Sequence, residues 1–323
     1  MRFAFFGTPP FAARILELLL EGDLRPEFVV TQPDAPSRRG HERWPSAVAD
    51  VATKMGLPVY KPDSLRDPIG KHSFQTELLV PTHALDCIVL AAYGKIIPDI
   101  LLDAPRRGWI NVHTSLLPRW RGAAPIQRAI LAGDEATGVS IMRMEAGLDV
   151  GPYCAQAQVA IGDQDLSQLE DVLAAKGVEL LLAELPKIID GTVTWQDQDE
   201  TQATYAKKID KHELDLLPEQ AAEINVRHVR ASSDSAPARL TLVDSNKEIA
   251  LRALDTELRS CRVSPLRAAG TALICDDHLG LVCASSETYC AITRLQAAGK
   301  RSQSAADFLR GVRLTTGEPL TWR

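Results

Sequence analysis

Asn111 and His113 stand two residues apart in the run Trp109-Ile-Asn-Val-His113, which is apolar enough to read as a strand. Residues i and i+2 of a strand project from one face, so the run sets a carboxamide beside an imidazole. A carboxamide can donate a hydrogen bond to an oxygen that gains negative charge during a reaction. An imidazole can take up and release a proton near neutral pH. The same spacing also serves ordinary packing, and by itself it does not choose between the two.

The elements around the pair alternate. Arg2–Phe6 reads as a buried strand, Pro10–Glu21 as an amphipathic helix, Glu27–Thr31 as a second strand and Ser46–Met55 as a helix. Pro58–Tyr60 is extended, Cys87–Ala91 is a short apolar strand, and Trp109–His113 is followed by a Pro- and Gly-marked loop and a helix over Ala124–Ala132. Val139–Met144 alternates before a turn at Gly147, and Leu166–Asp190 is one long amphipathic helix ending at Gly191. Strands alternating with helices predict a Rossmann-like α/β domain over 1–190, with a mostly parallel sheet covered on both faces. Residues 191–206, rich in Gln and Asp, read as a linker. Over 207–323, a helix in Pro218–Val229 is expected, then short strands at Ala238–Val243, Glu248–Ala253, Gly270–Ile274, Gly280–Ala284 and Tyr289–Leu295, and a short helix from Ser304 to Leu309. That spacing favours a smaller β-barrel or sandwich.

A chain of 323 residues accommodates two such domains. Its net charge of −6 does not point to a nucleic-acid binder, but the charge is uneven. Residues 201–323 hold 17 Lys and Arg against 15 Asp and Glu and so carry +2, which leaves −8 on the rest. The six cysteines form no C-x-x-C pair, and no Cys and His cluster has zinc-ligand spacing, so free thiols and no metal are expected. The apolar N-terminal run is too short for a signal peptide and no stretch reaches transmembrane length, so a cytoplasmic protein is expected. A monomer is expected too.

Several motifs occur in an order that resembles the folate-dependent formyltransferases. Ser115-Leu-Leu-Pro118 followed by Arg121-Gly122 resembles the signature loop of that family. Phe6-Gly-Thr-Pro9, Thr31-Gln-Pro-Asp34, Ala92-Tyr-Gly-Lys-Ile-Ile-Pro98, Gly147-Leu-Asp149 with Gly151, and Leu295-Gln-Ala-Ala-Gly-Lys300 match in turn, so the resemblance spans nearly the whole chain. It implies a catalytic set of Asn111, His113 and Asp149. An amine attacks the carbonyl carbon of a formyl group carried on N10 of 10-formyltetrahydrofolate, Asn111 and His113 face the oxygen that becomes negative, and Asp149 orients the imidazole and helps remove the amine's proton. It also implies folate contacts from Ser115, Leu116, Leu117 and Pro118 on one side and Ala92, Tyr93 and Gly94 on the other. A Pro-kinked loop exposes backbone groups that could read a pterin ring. G-x-G-x-x-G is missing around Gly7, so no dinucleotide is inferred. The resemblance further implies that the C-terminal domain is OB-like.

The acceptor amine rests on finer features. The extension Ala123-Ala-Pro-Ile-Gln127 is similar to that of family members that formylate initiator methionyl-tRNA for translation initiation. The loop Gln32–Pro45 is long for a strand-to-helix connection and carries Arg38, Arg39, Arg43 and Trp44, a basic and aromatic mixture suited to RNA phosphates and an unstacked base. Lys207 and Lys208, with Lys211, Arg227 and Arg230, are further candidates for phosphate contact. The chain departs from those members at His41-Glu42, where two lysines are common, and in Ala231–Arg239. It also has Leu216-Leu217 where a tryptophan is usual. A nucleotide-linked amino sugar as acceptor, a non-catalytic folate- or RNA-binding relative, and a hydrolase releasing formate are the competing readings. The Arg-rich loop speaks against the first, and the complete Asn111/His113/Asp149 set against the second.

Overall fold

The computed structural model describes residues 1–36, 43–65, 80–244, 247–260, 268–284, 287–312 and 320–323. Two compact units emerge. The first comprises Met1–Pro125, Ala136–Ala160 and Gln168–Ala206, and the second Ile126–Glu135, Ile161–Ser167 and Lys207–Arg323.

The first unit is built on a seven-stranded sheet. Its strands are β1 (Phe3–Gly7), β2 (Val29–Val30), β5 (Val59–Tyr60), β6 (Cys87–Ala91), β7 (Trp109–His113), β9 (Ala136–Arg143) and β10 (Tyr153–Ala160), in the order β10-β9-β7-β6-β1-β2-β5. The five from β7 to β5 run parallel, β9 pairs antiparallel with β7, and β10 pairs antiparallel with β9. After β1 the chain builds one side of the sheet through β2 and β5, then returns to lay β6 on the other side of β1. Open α/β sheets form their ligand crevice at the C-terminal strand ends where the order reverses in this way. Here those ends are Gly7 and Ala91. Helix α1 (Pro10–Glu21) begins with proline at its first position, where the missing N–H costs nothing, and buries Phe11, Ala12, Ile15, Leu16 and Leu19. In α2 (Ala47–Lys54) the hydroxyl of Ser46 caps the amide of Ala49 at 3.0 Å. Two short loop strands, β3 (Ala35–Pro36) and β4 (Arg43–Trp44), pair antiparallel at the base of the Gln32–Pro45 loop.

The platform under β7 is aromatic. Phe6 meets Tyr93 and Trp109 edge-on, with centroids 5.4 and 4.6 Å apart, and the Trp109 indole donates to the Leu101 carbonyl at 2.6 Å. Edge-on pairs of this kind contribute about 1 kcal/mol each beyond their burial. The other face of β7 lies against the long helix that spans Leu166–Asp190. A Cβ on its Gly177 would stand 2.7 Å from Val112, so glycine lets helix and strand close together. The helix covering β7's back face leaves Asn111 and His113 on the opposite one.

In the second unit β12 (Ala238–Asp244), β13 (Lys247–Ser260), β14 (Ala272–Ile274), β15 (Leu279–Val282), β16 (Thr288–Ala297) and β18 (Thr321–Trp322) form an antiparallel sheet in the order β14-β15-β16-β13-β12-β18. Its ends meet: the Trp322 amide donates to the Gly270 carbonyl and the Ala272 amide to that of Leu320, each at 2.8 Å. The sheet is a nearly closed barrel around Leu240, Leu242, Leu251, Leu281, Ile292, Phe308 and Trp322. The strict alternation of burial along β12 is that of a strand with one face inside.

The longer strands and helices expected from the sequence are present, and the differences include the following. The strand Tyr153–Ala160 was not expected, because its small and polar residues suit a half-exposed edge strand and carry little apolar signal. The strand expected over Glu248–Ala253 extends to Ser260, its second half being charged and outward-facing. The helix expected from Pro218 begins at Ala222. Among the described residues no helix is long and apolar enough to cross a membrane. Burial pushes the Cys87 and Cys290 thiols up to about 12, which leaves them unreactive.

Candidate active site

Asn111 and His113 project from the same face of β7, are 7% and 5% exposed, and pair across the sheet with Met142 and Ser140 of β9. The Asn111 carboxamide has no hydrogen-bond partner among the described residues, yet it is not sealed from solvent, so its donors stay available. The imidazole is held at one end. Its Nε2 lies 3.0 Å from the Trp120 carbonyl, which can only accept, so Nε2 carries a proton. Its Nδ1 faces Asp149 Oδ2 at 3.7 Å, too far for a hydrogen bond but within ion-pair distance.

Asp149 reaches this position through unusual backbone. Its φ is +54°, a region that few residues other than glycine enter and that aspartate tolerates better than most. Its Oδ2 accepts from the Gly122 amide at 2.9 Å, which aims the carboxylate at the imidazole. Gly122 is itself at φ +120°, where a Cβ would strike the Ala206 carbonyl at 2.8 Å. Gly151, two residues on, has no space for a Cβ because the Arg143 carbonyl would be 2.0 Å away. The loop therefore closes only with glycine at both places.

The loop after β7 is braced from within. Ser140 Oγ donates to the Ser115 carbonyl at 2.6 Å and accepts from the Leu117 amide at 3.1 Å. Gln156 donates to the Leu117 carbonyl and to Ser140 Oγ, both at 2.9 Å. The carbonyls of Leu116 and Pro118 accept from the Arg119 and Thr204 amides, and the Leu117–Pro118 peptide is cis. Arg121 is fully buried, with its guanidinium on both carboxylate oxygens of Glu200 and on Gln198 Oε1. That pairing holds the Glu200 carboxyl below the usual carboxylate range.

A formyl transferase family model matches residues 1–185, and its C-terminal-domain counterpart matches 208–313. The chain belongs to the formyl transferase family. It is 43% identical over 320 residues to the methionyl-tRNA formyltransferase of Halorhodospira halophila, covering 99% of each chain, and 42% identical over 321 residues to that of Thiobacillus denitrificans, with the same coverage. Among solved structures it shares its fold with an N-formyltransferase of Helicobacter canadensis in complex with folinic acid and dTDP-3-aminofucose. The TM-score is 0.62 at 14% identity, over 92% of this chain and 99% of that one.

In this formyl transferase the residues expected to flank the donor divide. Ala92 and Gly94 are exposed where β6 ends, beside the strand-order reversal, and suit a ligand that approaches backbone closely. Tyr93 between them points inward: it is 1% exposed and packs on Phe6, and burial raises its phenol. Its ring does not line a ligand wall, which corrects that expectation. Its carbonyl holds the turn, accepting from Thr8 Oγ1 at 3.1 Å and Gln32 Nε2 at 2.8 Å. For Ser115, Leu116, Leu117 and Pro118 the physical picture also changes, since their carbonyls are engaged inside the protein and Ser115 is fully buried. What the loop offers is shape rather than open polar groups.

Of the residues expected to meet RNA, Arg38 and Arg39 lie outside the described residues, as does the side chain of Arg43. Trp44 is 64% exposed. Lys207 and Lys208 are exposed, and their carbonyls accept from Arg128. Arg230 instead braces its own unit, donating to the Gly162 and Gln164 carbonyls. Gln198, Glu200 and Thr204 were not singled out in the sequence. The one signal for them was Arg121, since a buried arginine requires an acidic or amide partner.

Proposed function

We propose that this enzyme transfers the formyl group of 10-formyltetrahydrofolate to the free amino group of initiator methionyl-tRNA, for translation initiation. The observation that carries the reading is the assembly of Asn111, His113 and Asp149 on one face in a chain that matches methionyl-tRNA formyltransferases end to end. The donor supplies an electrophilic formyl carbon.

The protein's own groups then act on what surrounds that carbon. Asn111, with a free carboxamide, donates to the formyl oxygen as charge builds on it. His113 receives the proton of the attacking amine at Nδ1, beside the Asp149 carboxylate, and hands it to N10 of the folate as the bond between N10 and the formyl carbon breaks, so that tetrahydrofolate leaves neutral. The Gly122 amide keeps that carboxylate in place. Ala92 and Gly94, with the wall formed by Leu116–Pro118, hold the donor. No metal is needed at any of these steps. Arg38, Arg39, Arg43 and Trp44 of the loop, with Lys207 and Lys208, contact the tRNA.

The test is an acceptor panel. The protein is incubated with 10-formyltetrahydrofolate and either charged initiator methionyl-tRNA, nucleotide amino sugars or buffer alone. Formylation of the tRNA alone is expected. Formylation of an amino sugar in preference to tRNA, or formate release in buffer at a comparable rate, overturns the reading.

A further inference from the structure

The stretch between the two family models, which end at 185 and begin at 208, reaches both His113 and Asp149 through one intermediary each. We infer that residues 198–206 form a positioning strap, in which Gln198 sets the Asp149 carboxylate and Thr204 sets the His113 ring. The inference rests on the catalytic reading of those two residues.

Gln198 is 9% exposed and uses its whole amide. Its Nε2 donates to the carbonyls of Asp149 at 2.8 Å and Gly151 at 2.6 Å, while its Oε1 accepts from Arg121 Nε at 2.9 Å. Asp149 occupies a backbone region that costs free energy and persists only where its surroundings hold it. Two carbonyls gripped on either side of Val150 are such a hold. Arg121 orients the amide, and Glu200 anchors Arg121 through both oxygens.

Thr204 works on the other catalytic group. Its Oγ1 accepts from the Trp120 amide at 2.9 Å and its carbonyl from the Arg121 amide at 2.8 Å. Trp120 is also at positive φ, +60°, and its carbonyl is the one that fixes the proton on His113 Nε2. Beyond Thr204 the strand β11 (Tyr205–Ala206) pairs parallel with β8 (Arg121–Gly122), and the Ala206 carbonyl receives the Ala123 amide. One segment therefore holds the peptides that aim both groups, and neither Gln198 nor Thr204 touches the reacting atoms.

Substitutions in the full-length protein separate positioning from bulk packing. Gln198→Glu keeps the size and the acceptor for Arg121 but turns an oxygen toward the two carbonyls it formerly donated to. Thr204→Val removes the acceptor for Trp120, and Thr204→Ser restores it. We expect kcat to fall about 10- to 100-fold in Gln198→Glu and Thr204→Val, the cost of misplacing a reacting group by a fraction of an ångström to an ångström, with KM for the folate donor little changed. Thr204→Ser should recover most of the rate. Gln198→Glu should also shift the pH profile of kcat. A second readout needs no acceptor: nitrogen NMR of the His113 ring in the free protein. Wild type should show the proton on Nε2, and Thr204→Val should populate the other tautomer. An unchanged ring spectrum in Thr204→Val together with an unchanged pH profile in Gln198→Glu overturns the strap, even if both variants melt earlier. Should the wild type formylate no acceptor, the functional reading fails while the ring spectrum still decides the strap.

Discussion

Asp149 Oδ2 stands 3.7 Å from His113 Nδ1 while accepting a 2.9 Å hydrogen bond from the Gly122 amide. The carboxylate is thus fixed to the backbone and free toward the ring, and its charge can be removed without moving it. In Asp149→Asn the side-chain oxygen can still accept from Gly122, and asparagine tolerates the same φ. A loss of about 100-fold or more in kcat with an unaltered melting temperature is expected, from steady-state rates and calorimetry on one preparation. Wild-type rates in this variant would remove Asp149 from the mechanism.

Asn111 holds a carboxamide donor that bonds to no described residue, and the proposed mechanism aims it at the formyl oxygen. Asn111→Ala should lower kcat by about 100- to 1,000-fold, the range found when one oxyanion donor is removed. Because its carboxamide bonds to no described residue, folding should be nearly unaffected. A large rise in KM at unchanged kcat would instead mean that Asn111 binds the ground state.

The Arg121–Glu200 pair is asymmetric, with the arginine fully buried and the glutamate side chain 67% exposed. Removing the glutamate strands a buried cation, whereas removing the arginine leaves a carboxylate that water can solvate. Glu200→Ala should therefore lower the melting temperature more than Arg121→Met does. The reverse order would show that Arg121 is stabilised mainly by its other partners, Gln198 and Tyr205.

In the barrel, hydrogen bonds from His278 and Arg259 bring the Asp277 carboxyl down to about 2. A carboxyl depressed in the folded state contributes stability that is complete above its unfolded value near 3.8 and is lost as pH falls toward about 2. Asp277→Asn should melt earlier than wild type at neutral pH, and the two should converge near pH 2. A gap that persists in acid would assign the effect to packing.

Arg39→Ala should weaken binding of charged tRNA and reduce the slope of log K against log salt by about one, as for a single lost phosphate contact. The KM for the folate donor should be unchanged. Equal tRNA affinity across a salt series would exclude Arg39 from the interface.

What could be read from the sequence followed the reach of each pattern. Strand periodicity put Asn111 and His113 on one face of Trp109–His113, and helix periodicity bounded Leu166–Asp190, because both patterns are local. The approach of Asp149 was not local. It depends on a positive φ, on glycine at 122 and 151, and on an amide 49 residues further along. The run 191–206 was read as a linker because its polar residues show no period. Within it Gln198 and Thr204 bond to loop peptides, and such bonds leave no repeat in sequence. Tyr93 was misplaced for a related reason: composition does not reveal which way a loop aromatic turns.

The helix that follows the loop after β7, spanning Pro125–Ala132, falls inside the stretch matched by the N-terminal family model, yet it groups with the second unit from Ile126 onward. Arg128 is ion-paired with Glu213, and Gln127 donates to the Ala231 carbonyl at 2.7 Å. The two halves are consequently not interchangeable cassettes. A fragment ending at Ala206 would carry this helix stripped of both partners, and a chimera with a relative's C-terminal half would have to import the matching helix as well. Recombination at the apparent junction would break contacts made by Gln127 and Arg128, far upstream of it.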